Sequence, residues 1–430
     1  MSTEASDRTL IVGAPNKTIG IQEMEDHLLE LSRLVNAAGG EVVGTVFQRI
    51  IKRNPRFLIG KGKIAELALK VTATAAELVI FDDELTPLQG KSIEDYLGVR
   101  VMDRSELILD IFAKRARSRE AKMQVELAQL QYLMPRLRRM WTHLSRIRGG
   151  IGLRGPGETQ IETDRRLIGR RITTLRKRLE ALNIARSNRR KSRKGEFQAA
   201  LVGYTNAGKS SLLRALSQRD VLVENRLFST LDSKIRKVEL GDGFAGMITD
   251  TVGFIRKLPH HLVASFRSTL EGIREADLLI HVIDASQVDW ASQRAVVDDV
   301  LETLRLGEIQ QILVFNKIDC IENQELIDLK YQVRREEVQP AVFVSARRED
   351  SLEILKTAMR SQLQESFRHL SLRLRVSDGE RLAMLYESGE ILNQEYEGQY
   401  TSIEVRIPEK LAGRLLKSED IVLIKEHGLG

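Results

Sequence analysis

The run Gly203-Tyr204-Thr205-Asn206-Ala207-Gly208-Lys209-Ser210, directly after the apolar stretch Phe197 to Val202, constrains this chain more than any other feature. It fits the order strand, GxxxxGK[ST], helix, a fold in which backbone wraps the phosphates of a nucleotide. Gly203 and Gly208 permit the tight turn that points successive N–H groups inward at anionic oxygens. Lys209 supplies a point charge for the β- and γ-phosphates, and Ser210 a hydroxyl for Mg²⁺. Ser211 to Leu216 read as the start of a helix whose dipole favours the same anion.

A second apolar run, Gln311 to Phe315, leads into Asn316-Lys317-Ile318-Asp319. A carboxylate at Asp319 can accept from both N1–H and the exocyclic amine of guanine, a bidentate charge-assisted pair. Adenine lacks that pair of donors, and a site built on such a bond discriminates by roughly 10⁴–10⁵. Between these motifs, Met247-Ile248-Thr249 runs into Asp250-Thr251-Val252-Gly253. Asp250 can order the water shell of Mg²⁺, and the Gly253 N–H can sense a γ-phosphate. In Phe228-Ser229-Thr230-Leu231-Asp232, Thr230 offers the hydroxyl that completes the magnesium site. Val344-Ser345-Ala346 ends another buried run and is fit to close over the base edge. The expected nucleotide contacts are therefore residues 203–210, 228–232, 250–253, 316–319 and 344–346. Lys209, Thr230 and Gly253 are expected to carry catalysis, and Ser210 and Thr230 to hold the metal. In this order the set resembles the TRAFAC-class GTPases over residues 197–366, which implies GTP and GDP as ligands.

At 430 residues the chain should hold about three domains. A single cysteine, Cys320, rules out an internal disulfide and suits a reducing, cytoplasmic compartment. Residues 1–9 are polar and acidic without an apolar stretch, so no signal peptide is expected. No segment approaches the ~18 uncharged apolar residues of a membrane span, which leaves only peripheral membrane association open. The net charge of +7 conceals a strong asymmetry. Residues 114–194 carry 24 Lys and Arg against 6 Asp and Glu, a net +18. The remaining 43 basic and 54 acidic residues leave the rest at −11. A cationic segment on an acidic body points to a polyanion partner; a solvated pair of charged helices is the plainer alternative.

Within that segment, Met123, Leu127, Leu130, Met134, Leu137, Trp141 and Leu144 are spaced 4-3-4-3-4-3. Ile161, Ile168, Ile172, Leu175, Leu179 and Leu182 follow at 7-4-3-4-3. These are heptad seams on two helices, and Pro135 should kink or break the first. The glycine-rich run at 149–158 cannot hold a helix, so an antiparallel hairpin with a flexible tip is expected. Arg146, Arg148 and Arg154 at this tip are candidate RNA contacts, and Arg186 to Lys194 reads as a linker.

Before the hairpin, short apolar runs alternate with helical patterns, which predicts a small α/β domain with a mostly parallel sheet. After Gln364, an alternating strand at 371–376, a helix at 379–390, a strand at 401–407 and a last helix at 409–416 predict a small α+β domain. The expected organisation of this α/β multidomain chain is thus 1–113, an N-terminal α/β domain; 114–194, a basic helical hairpin (an antiparallel coiled coil) and linker; 195–366, a P-loop GTPase domain; and 367–430, a small α+β C-terminal domain.

Taken together, several stretches resemble the HflX family: Phe57 to Lys63, Gln124 to Leu137, Gly149 to Thr159, Asp164-Arg165-Arg166, Phe228 to Asp232 and Asp250 to Phe254. The resemblance spans nearly the whole chain, and the glycine tip is its most specific part. It implies a monomeric GTPase that binds the large (50S) ribosomal subunit and its rRNA, splits ribosomes under stress, and places the tip near the peptidyl-transferase region. Some members also hydrolyse ATP through the N-terminal domain. Two alternatives stay open: a GTPase of large-subunit biogenesis or RNA remodelling, and a switch that binds only proteins, which the +18 segment argues against.

The place of the water-orienting Gln of Ras-like proteins is taken here by Phe254, which offers no hydrogen bond. Unaided hydrolysis should be slow, needing a partner, an ion or an arginine in cis, for which Arg226, Arg236 and Arg256 are candidates. Asn206 resembles the P-loop asparagine of potassium-activated GTPases, which makes K⁺ a second candidate cofactor. Stabilising the loop's turn is the alternative role for Asn206.

Overall fold

The computed structural model describes residues 7–16, 19–140, 156–191, 197–217, 228, 234–241, 244–258, 273–274, 276–337, 339–365, 367–416 and 421–427. They fall into two compact units.

The first unit is built on a four-stranded sheet of β1 (Arg8–Gly13), β2 (Glu41–Phe47), β3 (Leu78–Phe81) and β4 (Arg100–Asp103), in the order β2-β1-β3-β4. Every pairing is parallel. The central strands β1 and β3 are covered on both faces, which is why Leu10-Ile11-Val12 and Leu78 to Phe81 read as unbroken apolar runs. The connecting helices are α1 (Ile21–Ala38), α2 (Lys61–Thr74), α3 (Pro87–Leu97) and α4 (Arg104–Arg115). Their ends follow local chemistry. α1 stops at Gly39, whose left-handed backbone (φ 96°) returns its N–H to the Asn36 and Val35 carbonyls. α3 opens with a reciprocal capping box between Thr86 and Gln89, with Pro87 in its first turn. Asp103 caps α4 by accepting from the Glu106 N–H at 2.9 Å.

Two long helices follow, α5 (Arg119–Met140) and α6 (Pro156–Lys191). Met123, Leu127, Leu130 and Met134 of α5 pack in one cluster with Ile168, Ile172, Leu175 and Leu179 of α6. Arg171 forms a bidentate bond to Glu126 beside them, at 2.6 and 2.8 Å. Four details depart from the sequence reading. α5 runs unbroken through Pro135. The residues Pro156-Gly157-Glu158, assigned to the flexible tip, already belong to α6, where Pro at the first helical position loses no hydrogen bond. The basic run expected as a linker continues α6 as far as Lys191. Leu182, expected on the seam, is exposed. Residues 141–155, with Trp141, Leu144, Arg146, Arg148 and Arg154, lie outside the described residues.

The second unit contains a six-stranded sheet of β5 (Phe197–Gly203), β6 (Lys234–Gly241), β7 (Phe244–Asp250), β8 (Leu278–Asp284), β9 (Gln311–Asn316) and β10 (Ala341–Phe343), ordered β10-β9-β8-β5-β7-β6. Only β6 runs antiparallel to its neighbour; sequence reasoning did not find this strand. The helices of this part are α7 (Lys209–Ser217), α8 (Trp290–Thr303), α9 (Asn323–Glu336) and α10 (Glu349–Glu365). Leu201, Leu212, Ile280, Val314 and Leu355, all fully buried, sit in the core between sheet and helices. A separate antiparallel sheet of β11 (Phe367–Arg375), β12 (Glu390–Glu397), β13 (Tyr400–Pro408) and β14 (Val422–His427) is ordered β12-β13-β11-β14. Leu385 of α11 (Gly379–Ser388) and Leu411 and Leu415 of α12 (Glu409–Leu415) share its apolar cluster. Strands β12 and β14 add to the two expected from sequence.

The first unit also buries charge. The Arg104 side chain, 2% exposed, donates to Glu30 and, at 2.6 Å, to Asp82. Burial alone would raise the Asp82 carboxyl, but Arg104 and Lys257 outweigh it and hold it below the usual carboxylate range. Removing one partner of such a set leaves buried charge uncompensated, at a cost of about 3–5 kcal/mol. Arg104→Ala is therefore expected to lower the stability of this unit by that amount at neutral pH, read by urea unfolding. Because the folded-state Asp82 value is depressed, the wild-type contribution is complete above about pH 4 and fades as pH falls through the folded value. The gap between wild type and variant should accordingly narrow in acid.

Candidate nucleotide site

The nucleotide motifs of the second unit converge at the carboxyl ends of β5, β7, β8 and β9, where ligands of open α/β sheets bind. After β5 the chain turns at Gly203 (φ 145°), where a Cβ would stand 2.2 Å from the Val282 carbonyl oxygen of β8. Gly208 (φ 98°) is equally restricted, since a Cβ there would stand 2.2 Å from the Asn316 amide nitrogen. That clearance lets Asn316 donate to the Ala207 carbonyl at 2.9 Å and accept from the Ala346 N–H at 3.2 Å. One buried side chain thus fastens the phosphate loop to the 344–346 loop.

Lys209 is buried and donates to the carbonyls of Gly203 (3.0 Å) and Tyr204 (2.8 Å). Burial pulls its pKa down to about 8, against the pull of nearby Asp250. Ser210 Oγ donates to Asp250 Oδ2 at 2.6 Å, both side chains buried. Hydroxyl and carboxylate oxygen together form the hard, all-oxygen donor pair that suits Mg²⁺. Gly253 lies against the loop: a Cβ would meet Thr205 Cα at 2.8 Å and Lys209 Nζ at 3.0 Å. The segment beyond it zips onto the loop through Thr205 N–H to Phe254 O (2.8 Å) and Phe254 N–H to Gly203 O (3.1 Å). Thr251 donates to the Leu201 carbonyl at 2.6 Å and Val252 is buried, so both act in packing this turn. The Phe254 ring is itself buried and the Tyr204 hydroxyl accepts from the Arg256 N–H at 3.0 Å.

At the base end, Asp319 accepts from Ser345 Oγ at 2.6 Å and from Arg347 at 3.3 Å. Burial works against its carboxylate, but the Ser345 hydroxyl, the residue's own N–H and Arg347 outweigh it and hold its pKa below the ordinary value. Lys317 adopts a left-handed backbone (φ 66°) and donates to Asp284 at 2.6 Å. The Ile318 N–H donates to the Val344 carbonyl at 3.3 Å. Asn206, at φ 63°, is exposed at the loop's tip. Ser229, Thr230, Leu231 and Asp232 lie outside the described residues, as does Arg226. Phe228 is buried and packs edge-to-face on Phe112 with ring centroids 4.7 Å apart.

Sequence reasoning missed Asp284 at the end of β8, His281 in the middle of that strand, and Lys257. His281 is buried, and that burial, with Arg294 and Lys209 nearby, lowers its pKa to about 3; it stays neutral beneath the loop. Lys257 bonds Asp82 and lies 3.5 Å from Asp83. Of the arginines considered for catalysis in cis, Arg256 is buried and committed to Asp289 (2.7 Å) and Ser292 (3.1 Å). Arg236 is half-buried on β6 and donates to the Ile235 carbonyl.

Three family models cover most of the chain: a GTP-binding GTPase N-terminal region at residues 25–113, a GTP-binding GTPase middle region at 115–193, and a 50S ribosome-binding GTPase domain at 198–317. Among curated relatives, the GTPase HflX of Escherichia coli is 43% identical over 408 residues, 94% of each chain. That of Flavobacterium psychrophilum is 46% identical over 73% of this chain and 76% of its own. That of Caldanaerobacter subterraneus is 43% identical over 92% and 91%.

The geometry at Asp319 generates a specificity test. Asp319→Asn reverses the donor pattern facing the base, so GTP affinity should fall by several orders of magnitude, on the order of 10⁴, while xanthosine triphosphate gains. Titration of both nucleotides checks this, and unchanged GTP affinity would refute the base assignment.

Proposed function

Since the chain belongs to the HflX family and is a GTP-hydrolysing enzyme, we propose that it binds the large ribosomal subunit through the basic helices α5 and α6 and the segment between them. In this reading it dissociates or rescues ribosomes under stress, GTP favours the bound form, and hydrolysis releases it. The observation that carries the reading is the outer face of α6. Arg165, Arg166, Arg170, Arg176, Lys177 and Arg178 are all exposed. None of these six forms an ion pair among the described residues. Cations left unmatched on one helix face, opposite a packed apolar seam, suit a phosphate backbone.

At the nucleotide site, residues 203–210 would cradle the phosphates, with the Lys209 ammonium leaving two backbone carbonyls to face the β- and γ-oxygens. Ser210 and Thr230 would hold Mg²⁺, with Asp250 ordering its water shell, and the ion would neutralise developing phosphate charge when bound. The Gly253 N–H would report the γ-phosphate. Asp319, with Ser345 and Ala346 beside it, would select guanine. Phe254 is buried and supplies no water-orienting group, and Arg256 is already engaged, so turnover without the ribosome is expected to be slow. Action on assembling large subunits is the second reading, since the same α6 surface would serve it.

Replacing Arg146, Arg148 and Arg154 by Ala is expected to weaken co-sedimentation with 50S particles while leaving GTP affinity unchanged. Wild-type binding should fall steeply across a salt series, because each phosphate contact releases counterions. A triple variant that sediments like wild type at every salt concentration would sink the tip assignment.

Asn206 gives a further test. Its left-handed backbone suits an asparagine for conformational reasons alone, while in the second reading its exposed side chain would help hold K⁺. If the ion is used, single-turnover hydrolysis should be faster in K⁺ than in Na⁺ at matched ionic strength, and Asn206→Ala should abolish the difference. Equal rates in both salts, with and without ribosomes, would reduce Asn206 to its turn.

A further inference from the structure

The antiparallel sheet at the end of the chain gathers two imidazoles and a carboxylate on its polar face. His369 sits near the start of β11, directly opposite His427 of β14, and Glu404 of β13 faces Ser371, two residues along β11. Side chains two apart share a face of a strand. His369 and Ser371 therefore point away from Leu370, Leu372 and Leu374, which fill the apolar cluster on the other side. The two imidazole rings stack with centroids 4.1 Å apart and planes 16° from parallel. Nε2 of His369 is 2.7 Å from Glu404 Oε1, and Nε2 of His427 is 3.8 Å from the same oxygen. The ligand atoms of the three residues all lie within 4.8 Å of one another, a trio without a second example among the described residues.

We propose that His369, Glu404 and His427 bind a divalent transition metal of the Zn²⁺ class. The donor set is the first argument. Two neutral imidazoles and one carboxylate suit zinc and its neighbours, whereas Mg²⁺ and Ca²⁺ take oxygen. The site is thus chemically distinct from the Ser210–Asp250 pair. Spacing is the second. Bonds of about 2.0–2.2 Å in a tetrahedron set donor atoms roughly 3.3 Å apart. The two nitrogen-to-carboxylate separations, 2.7 and 3.8 Å, bracket that value, and all three donors lie within 4.8 Å. The stacked rings would turn apart to bring both lone pairs onto one ion. At 3.8 Å the second imidazole is beyond hydrogen-bond range of Glu404. Its Nε2 lies 3.0 Å from Ser371 Oγ, a hydroxyl contact that a bound metal would replace. The third argument is support: each ligand rides on a different strand of a paired sheet, so the constellation is fixed by the ladder rather than by a loop.

Three protein ligands leave a coordination position for water or an external donor. The structural result is a clasp. β14 is an edge strand bonded only to β11, and its Val422, Leu423 and Ile424 are 58%, 40% and 54% exposed. A metal shared by His427, His369 and Glu404 fastens this last strand to the two inner ones. The exposed Cys320 belongs to another part of the unit and is no member of the site.

The test uses the full-length, untagged protein, stripped of nucleotide and Mg²⁺. Calorimetric titration with Zn²⁺ should show one equivalent bound at micromolar concentration. Co²⁺ should give a d–d absorption band without a sulfur charge-transfer band. His369→Ala, His427→Ala and Glu404→Gln should each weaken binding by at least about tenfold, while Cys320→Ser changes nothing. Glu404→Gln keeps the carboxylate's shape, and an unchanged melting curve of the metal-free variant separates ligation from folding. Hydrogen exchange of the β14 amides should slow with Zn²⁺ in wild type and in Cys320→Ser but in none of the ligand variants, and GTP hydrolysis should be equal in wild type and the three single ligand variants. Absence of binding at micromolar Zn²⁺, or the same affinity in the His369→Ala/His427→Ala double variant, would overturn the proposal and leave a hydrogen-bonded His–Glu pair with a stacked neighbour.

Discussion

The nucleotide site depends on the room that Gly208 leaves for the Asn316 amide. With any Cβ at Gly208, the nitrogen that bonds Ala207 would be struck at 2.2 Å. That bond, together with the Asn316 contact to Ala346, ties the loop after β5 to the loops after β9 and β10. The groups proposed to face phosphate and base are thereby held at a fixed separation before any ligand arrives. Such preorganisation keeps the ordering cost out of the binding step. Gly203 plays the matching part on the other side, letting the loop leave β5 against the backbone of β8.

Electrostatics supports the same arrangement. Lys209 is buried, with a pKa drawn down to about 8, and its ammonium leans on two carbonyls. These are weak partners for a full charge, so an incoming polyphosphate offers a better one. His281 beneath it is held neutral, which avoids a second cation competing for the same ligand. The loops that follow the phosphate motifs are anchored elsewhere: Phe228 by the Phe112 ring, Lys257 by Asp82 and Asp83. A change of conformation in either loop has to break apolar packing or a half-buried ion pair.

What was legible in the sequence was whatever is written contiguously. The phosphate loop, the Asp250–Gly253 turn and the Asn316–Asp319 motif each concentrate their chemistry in a few neighbouring residues, with glycines where only glycine fits. The strands of the parallel sheet in the first unit were equally plain, because burial on both faces leaves unbroken apolar runs such as Leu78 to Phe81. Asp284 was not legible, since its task is to hold Lys317, 33 residues away. Lys257 and Asp82 are 175 residues apart. β6 alternates exposed and buried residues, with Lys234, Arg236, Lys237 and Glu239 masking the apolar ones. β12 is exposed along most of its length and β14 almost entirely, so neither carries the apolar alternation that marked β11 and β13. The boundary near residue 156 was misplaced because glycine content argues against a helix interior, while Pro156 favours a helix start.

The strand order of the six-stranded sheet also sets a clock on synthesis. β5 lies between β7 and β8, and its first bonds on the β8 side join Gln198 to Asp277, 79 residues later in the chain: the Asp277 N–H donates to the Gln198 carbonyl, and the Gln198 N–H to the Asp277 carboxylate. At about 5–20 residues per second, β5 leaves the synthesising machinery roughly 4–16 seconds before that partner exists. Until then β5 can pair only with β7, which carries β6 on its other side, and parallel, non-local pairing of this kind forms slowly even when both strands are present. The nascent chain therefore passes through an interval in which the phosphate loop has been made but Val282 and Asn316, which frame it, have not.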